Sequence, residues 1–264
     1  MGAVKKPLLL LVLFIAVFGA TGAYAITYGE PDGNGHPSTG ALVARSSPLK
    51  SYKIVCSGTL ISKNVFLTAS HCTAYLQSLG ITDVGVSFDS TYTAGSSQVY
   101  PGGVMHTNPL YNQRTSDPED IAVVTFQDSI TDILPVDLPA AGLLDQLKKQ
   151  KLLNGTRFTS VGYGDQEPAN APGGHVFLFT GERRVATGGF NSLTDVWLKL
   201  SGNPAHGDGG TCYGDSGGPQ FIEGTNRQVS ITITGDAVCK ATNVDYRLDT
   251  PQARAFLGLY VLLP

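Results

Sequence analysis

The run Thr211-Cys212-Tyr213-Gly214-Asp215-Ser216-Gly217-Gly218-Pro219 sets a serine hydroxyl among glycines. Glycine opens backbone geometries that side chains forbid, and it lets a substrate carbonyl come close to the main chain. A serine is a weak nucleophile at neutral pH, so it needs a base in reach and a group that orients the base. Five histidines are on offer. His36, His175 and His206 lie in Gly- and Pro-rich stretches and read as solvated loop residues, and His106 precedes the turn Asn108-Pro109-Leu110-Tyr111. His71 differs, because it closes the apolar segment Val65 to Ser70 and is followed at once by Cys72, a covalent anchor beside an imidazole. Asp120 opens the apolar run Ile121-Ala122-Val123-Val124, which suits a carboxylate held at a strand end. Asp117 and Glu119 are its rivals, in a more polar loop.

These residues need a rigid frame. The chain has 264 residues, 42% of them apolar, with 32 glycines and 15 prolines, which describes a foldable and turn-rich protein. Short β-branched and aromatic runs punctuated by turn residues predict strands near 40–44, 54–60, 65–69, 84–88, 98–104, 121–126, 157–162, 176–179, 196–200 and 228–234. Leu143, Leu144 and Leu147 suggest a turn or two of helix, and Pro251 to Leu257 a second short helix. The loose stretch Asp128 to Pro139 divides the chain into two halves of similar size. The expected fold is all-β, two barrels or sandwiches.

Residues 1–25 read as an export signal: Lys5-Lys6, an apolar run from Leu8 to Phe18, then Ala23-Tyr24-Ala25. The apolar run is shorter than the ~20 residues a spanning helix needs. Export would place the four cysteines in an oxidising compartment, where two disulfides are expected from three alternative pairings. The cysteines lie singly, which speaks against a structural metal. A net charge of −3 gives no reason to expect nucleic acid as a partner.

Thr68-Ala69-Ser70-His71-Cys72, Asp120-Ile121-Ala122-Val123 and Gly214-Asp215-Ser216-Gly217-Gly218-Pro219 together resemble the chymotrypsin/trypsin family of secreted serine endopeptidases, in the family's His, Asp, Ser order. The resemblance implies a signal peptide at 1–25 and a protease domain at 26–264. That domain would be two six-stranded antiparallel β-barrels packed at right angles, 26–135 and 140–264, the second ending in a short C-terminal helix. It implies Ser216 as nucleophile, His71 as base, Asp120 as its orienting group, and the N–H groups of Gly214 and Ser216 as an oxyanion hole. It pairs Cys56 with Cys72 and Cys212 with Cys239, and it pairs the α-amine of Ile26, exposed by signal removal, with Asp215.

For the specificity pocket the resemblance points to Gly210 as the floor, Thr234 and Gly235 on the wall, and Val244 in place of a glycine. Val244 would narrow the pocket and favour small or medium apolar side chains. Asp245 turned into the pocket would instead favour basic ones, with Asp208 and Asp236 as weaker candidates. Expected partners are protein or peptide substrates and proteinaceous inhibitors, with no cofactor or metal, no membrane after signal cleavage, and a monomeric, secreted state, extracellular or periplasmic. Rival readings are an inactive homologue serving as a binding module and an esterase using the same serine. Asn154-Gly155-Thr156 is a glycosylation sequon.

Overall fold

The computed structural model describes residues 26–264 apart from 167 and 173, so the expected signal peptide at 1–25 lies outside the described residues. A two-residue strand β1 (Glu30–Pro31) precedes β2 (Thr39–Arg45), β3 (Lys53–Ser62) and β4 (Val65–Thr68). Helix α1 (Ser70–Ser78), β5 (Asp83–Ser87), β6 (Tyr100–Thr107) and β7 (Ala122–Thr125) complete the first half. The second half holds α2 (Leu143–Lys149), β8 (Arg157–Gly162), the hairpin β9 (Ala169–Ala171) and β10 (Gly174–Val176), β11 (Arg184–Leu193) and β12 (Trp197–Ser201). It ends with β13 (Pro219–Ile222), β14 (Gln228–Gly235), β15 (Thr242–Arg247) and α3 (Pro251–Leu257).

Two closed six-stranded antiparallel barrels result. The first runs β2-β3-β4-β7-β6-β5, and the second β8-β11-β12-β15-β14-β13, closed by the pairing of β8 with β11. Strand β1 lies on the outside of the second barrel against β11. The β-branched and aromatic runs fill the first barrel with Leu42, Leu60, Phe66, Val84, Val86 and Val123. This core continues without a break into Phe221, Ile231, Tyr246 and the α3 residues Phe256 and Leu257, so the two barrels share one apolar face. Helix α3 starts where the sequence predicts: Pro251 is its first residue and the Thr250 hydroxyl accepts the Ala253 N–H.

The junction is also polar. Arg183, fully buried just before β11, donates to Asp32 and Gly33 of the N-terminal segment and to the carbonyls of Thr39 and Phe88 in the first half. His36 joins this cluster, hydrogen-bonded to Asp32 and stacked on Phe221, rather than lying free in solvent. Burial alone would raise the Asp32 carboxyl, but the bonds from His36 and Arg183 outweigh it and hold it below the usual range.

The structure departs from the sequence pattern in several places. Residues 70–78 form α1, a helix that the sequence pattern does not predict. Strands β11, β13 and β15 lie where no strand is predicted, and Phe177 to Phe179 belong to none.

Candidate active site

His71 is the second residue of α1, which follows β4 directly, so the packed strand aims the helix start. Cys72, the next residue, is bonded to Cys56 of β3, tying the helix to the barrel wall. Asp120 faces His71 from the segment before β7 and is 2% exposed. One carboxylate oxygen accepts the His71 ring Nδ1 at 2.9 Å and the other accepts its backbone N–H at 2.8 Å. The turn that presents Asp120 is tight: Glu119 sits at φ +52° and its carbonyl accepts the Ile121 N–H. The two rival carboxylates are engaged elsewhere, Glu119 by the Asn108 amide and Asp117 by the Tyr246 hydroxyl at 3.1 Å. A carboxylate on Nδ1 leaves Nε2 as the ring nitrogen able to accept a proton. His106 bonds Thr125 on the first barrel, and His175 and His206 are exposed.

Ser216 enters from the second barrel on the loop before β13. Its hydroxyl is half-buried and has no hydrogen-bond partner among the described residues. Catalytic hydrogen bonds are often long without substrate and tighten when it binds. Ser57 of β3 staples this loop to the first barrel: its N–H donates to the Ser216 carbonyl at 3.0 Å and its hydroxyl to the Gly214 carbonyl at 3.0 Å. The same hydroxyl accepts the Tyr163 N–H. Gly217 has φ +80°, and a Cβ there would lie 2.2 Å from the Thr68 hydroxyl and 2.7 Å from the Ser57 carbonyl. Only glycine lets the serine loop approach β3 and β4 this closely. Nothing in the sequence pattern marks Ser57; the signal is three-dimensional.

The peptide planes on either side of the serine are fixed. The Tyr213 carbonyl accepts the Asp165 N–H at 2.6 Å, which turns the Gly214 N–H of the same peptide the opposite way. Likewise the Asp215 carbonyl accepts the Gly218 N–H at 2.8 Å, turning the Ser216 N–H away from it. Gly214 itself sits at φ +94°. Asp215 is fully buried, and its carboxylate accepts the N–H groups of Gly164 and Cys212 at 2.8 Å each. Burial pushes this carboxyl up to about 7, against the two N–H donors and with Asp165 adding to the rise. Ile26 is fully buried, and the next residue, Thr27, exchanges two backbone hydrogen bonds with Gly210, five positions before Asp215 in the chain.

A cleft of about 350 Å³ opens beside Ser216, walled by Thr211, the Cys212–Cys239 disulfide, Thr232 to Ala237 and Tyr213. Thr234 and Gly235 are in this wall; Gly210 and Val244 are not. Val244 pairs with Thr234 and with Lys199 of β12, so it does not narrow the cleft. Asp245 is fully buried inside the second barrel on the Gln220 amide, and burial pushes its carboxyl well up despite that bond. Asp236 lies at the rim, where burial is outweighed by the N–H groups of Thr242, Lys240 and Ala241, so its carboxyl is lowered. Asp208 pairs with Arg157 at 2.9 Å. Beyond Thr232 the β14 edge away from β15 has no strand partner among the described residues, leaving Ile233 to Gly235 open for an extended peptide.

A model of the family described as Trypsin matches residues 28–255. A solved structure of HL collagenase superposes with a TM-score of 0.64 at 17% sequence identity, covering 90% of this chain and 100% of that one. At that identity the likeness speaks for the fold alone, whereas the family match takes in both barrels, the His71 and Asp120 segments and the Ser216 loop. The chain belongs to the trypsin family of serine endopeptidases.

Proposed function

We propose that this protein is a secreted endopeptidase that cleaves peptide bonds through an acyl-enzyme formed on Ser216. The observation that carries the reading is the clamping of His71 by both oxygens of buried Asp120. In this reading Ser216 Oγ attacks the scissile carbonyl as His71 Nε2 takes its proton. The C–N bond then breaks as His71 returns that proton to the leaving amine, and water repeats the cycle on the ester. Asp120 holds the imidazole tautomer and offsets its positive charge. The Gly214 and Ser216 N–H groups bind the developing oxyanion; losing one such donor costs about 3 kcal/mol in a comparable site.

Activation is assigned to removal of residues 1–25, which frees the Ile26 amine for Asp215. An isolated buried carboxylate is costly and a counter-ion relieves it, which supports that assignment. Two disulfides support an oxidising destination, extracellular or periplasmic. No helix among the described residues is long and apolar enough to cross a membrane. The protein is read as a monomer acting on protein or peptide substrates and open to proteinaceous inhibitors. Labelling the processed protein with a fluorophosphonate tests the assignment: the adduct is expected on Ser216 and lost in His71→Ala. No adduct on Ser216 would leave the binding-module reading. N-terminal sequencing should begin at Ile26; inactive material starting earlier would reveal a separate zymogen.

A further inference from the structure

Inside the second barrel, polar side chains stand where strand interiors are normally apolar. Ser160 of β8, Gln220 of β13, Thr232 of β14 and Asp245 of β15 are all buried, and hydrogen bonds join them into one group. Gln220 is the hub. Its amide nitrogen donates to the Thr232 hydroxyl at 2.9 Å and to the Asp245 carboxyl at 3.2 Å, while its amide oxygen accepts the Ser160 hydroxyl. Both amide hydrogens and the oxygen are used, so every polar group of the carboxamide is accounted for.

Asp245 closes the chain of bonds. Its other oxygen is buried and has no hydrogen-bond partner among the described residues. A carboxylate so placed would be an uncompensated buried charge, so the group stands as the neutral acid, which still accepts from Gln220. The upward push of burial on this carboxyl agrees.

Thr232 is where the group meets the site. Its carbonyl accepts the Gly217 N–H at 2.8 Å and its N–H donates to the Gly218 carbonyl at 2.9 Å, so it grips the chain directly after Ser216. It also lines the cleft beside Ser216. The sheet is irregular at this point: the β13 register on β14 ends at Ile231, and β14 slips on β15 between Thr232 and Thr234. Where a ladder slips, its backbone bonds are locally disrupted, and the Gln220 amide supplies a second tie.

From this arrangement we infer that Gln220 and Asp245 are positioning residues. They hold Thr232, and through it the Ser216 loop and the cleft wall, in the alignment that catalysis needs. Neither lines the cleft. The inference rests on the endopeptidase reading above and adds the device that keeps nucleophile and cleft aligned.

The test compares the rate of fluorophosphonate labelling of Ser216 in processed wild-type protein and three variants, with the Tm of each measured alongside. Asp245→Asn keeps an oxygen for the Gln220 amide and is neutral, like the acid it replaces, so it should label within about threefold of wild type. Asp245→Leu keeps the branched shape but orphans one amide hydrogen. It should label at least about tenfold more slowly while still folded, since a small displacement can cost about 100-fold at a reacting group. Gln220→Leu combined with Asp245→Leu removes the amide and its acceptor together, so no Gln220 hydrogen is orphaned. This double variant should fold and still label slowly, and it decides the matter if Asp245→Leu alone does not fold. A role in packing alone would lower the Tm of the leucine variants and leave their labelling rate unchanged; that result would overturn the proposal. So would Asp245→Asn labelling as slowly as Asp245→Leu. Wild-type protein that takes no label would sink the endopeptidase reading itself, and this inference with it.

Discussion

Blocking or freeing the amine of Ile26 should change how stability depends on pH, and Asp215 gives the size of the effect. Its carboxyl is fully buried with only the Gly164 and Cys212 N–H groups on it, and burial raises it from 3.8 to about 7. At about 1.4 kcal/mol per unit this corresponds to roughly 4 kcal/mol between the fully protonated and fully ionised limits. The folded state holds the proton more tightly than the unfolded chain. Stability from this group is therefore greatest below pH ~4, falls as pH rises towards 7, and levels off above it.

Between pH 5 and 8 the loss should be roughly 2–3 kcal/mol. Two chains carrying Ser216→Ala to prevent self-digestion would be compared by urea unfolding, one starting at Ile26 and one with a short polar extension before it. The extended chain should show the full loss, and Asp215→Asn in that chain should flatten it. With the proposed pairing, the chain with a free Ile26 amine would have a counter-ion for the carboxylate, so its loss should shrink below about 1 kcal/mol. Identical pH slopes for the two chains would refute the pairing of Ile26 with Asp215.

Three further outcomes follow from the site. Ser57→Ala orphans the buried Tyr163 N–H and releases the Gly214 carbonyl, so it should cost about 1–3 kcal/mol in urea unfolding and slow fluorophosphonate labelling of Ser216. Gly217→Ala places a methyl against Thr68 and the Ser57 carbonyl at a positive φ; it should cost on the order of 3 kcal/mol and abolish labelling. Asp120→Asn should leave the Tm within a few degrees but lower kcat/KM about 10⁴-fold, the magnitude known for loss of this carboxylate in serine proteases; a drop under tenfold would mean that another group orients His71.

The nucleophile loop, His71 and Asp120 are legible in sequence because each sits beside a local signal: glycines, a cysteine, an apolar strand. Most strands are legible for the same reason, through alternation or β-branched content. The strands that escape are those where tertiary packing overrides the pattern. In β11, Gly188 lacks a side chain because a Cβ would meet the Ser201 carbonyl at 2.4 Å, and the glycines hide the strand. In β15, the polar Asn243 and Asp245 are buried, as are Tyr246 and Arg247, while the apolar Val244 is only half-buried, which inverts the usual code. Ser57 is invisible because its role lies in contacts 106 to 159 positions away, to Tyr163, Gly214 and Ser216.

Both disulfides close within a barrel, Cys56 with Cys72 in the first and Cys212 with Cys239 in the second, and no free cysteine remains. His71 and Ser216 thus belong to separately cross-linked bodies joined covalently only by the 126–142 connection. In this sense the site resembles that of a heterodimer whose subunits share a tether, and the tether's contribution is an effective concentration. Cutting that connection would turn a unimolecular alignment into a bimolecular one. Activity would then depend on protein concentration, with the Ser57 and Arg183 hydrogen bonds and the shared apolar face setting the dissociation constant.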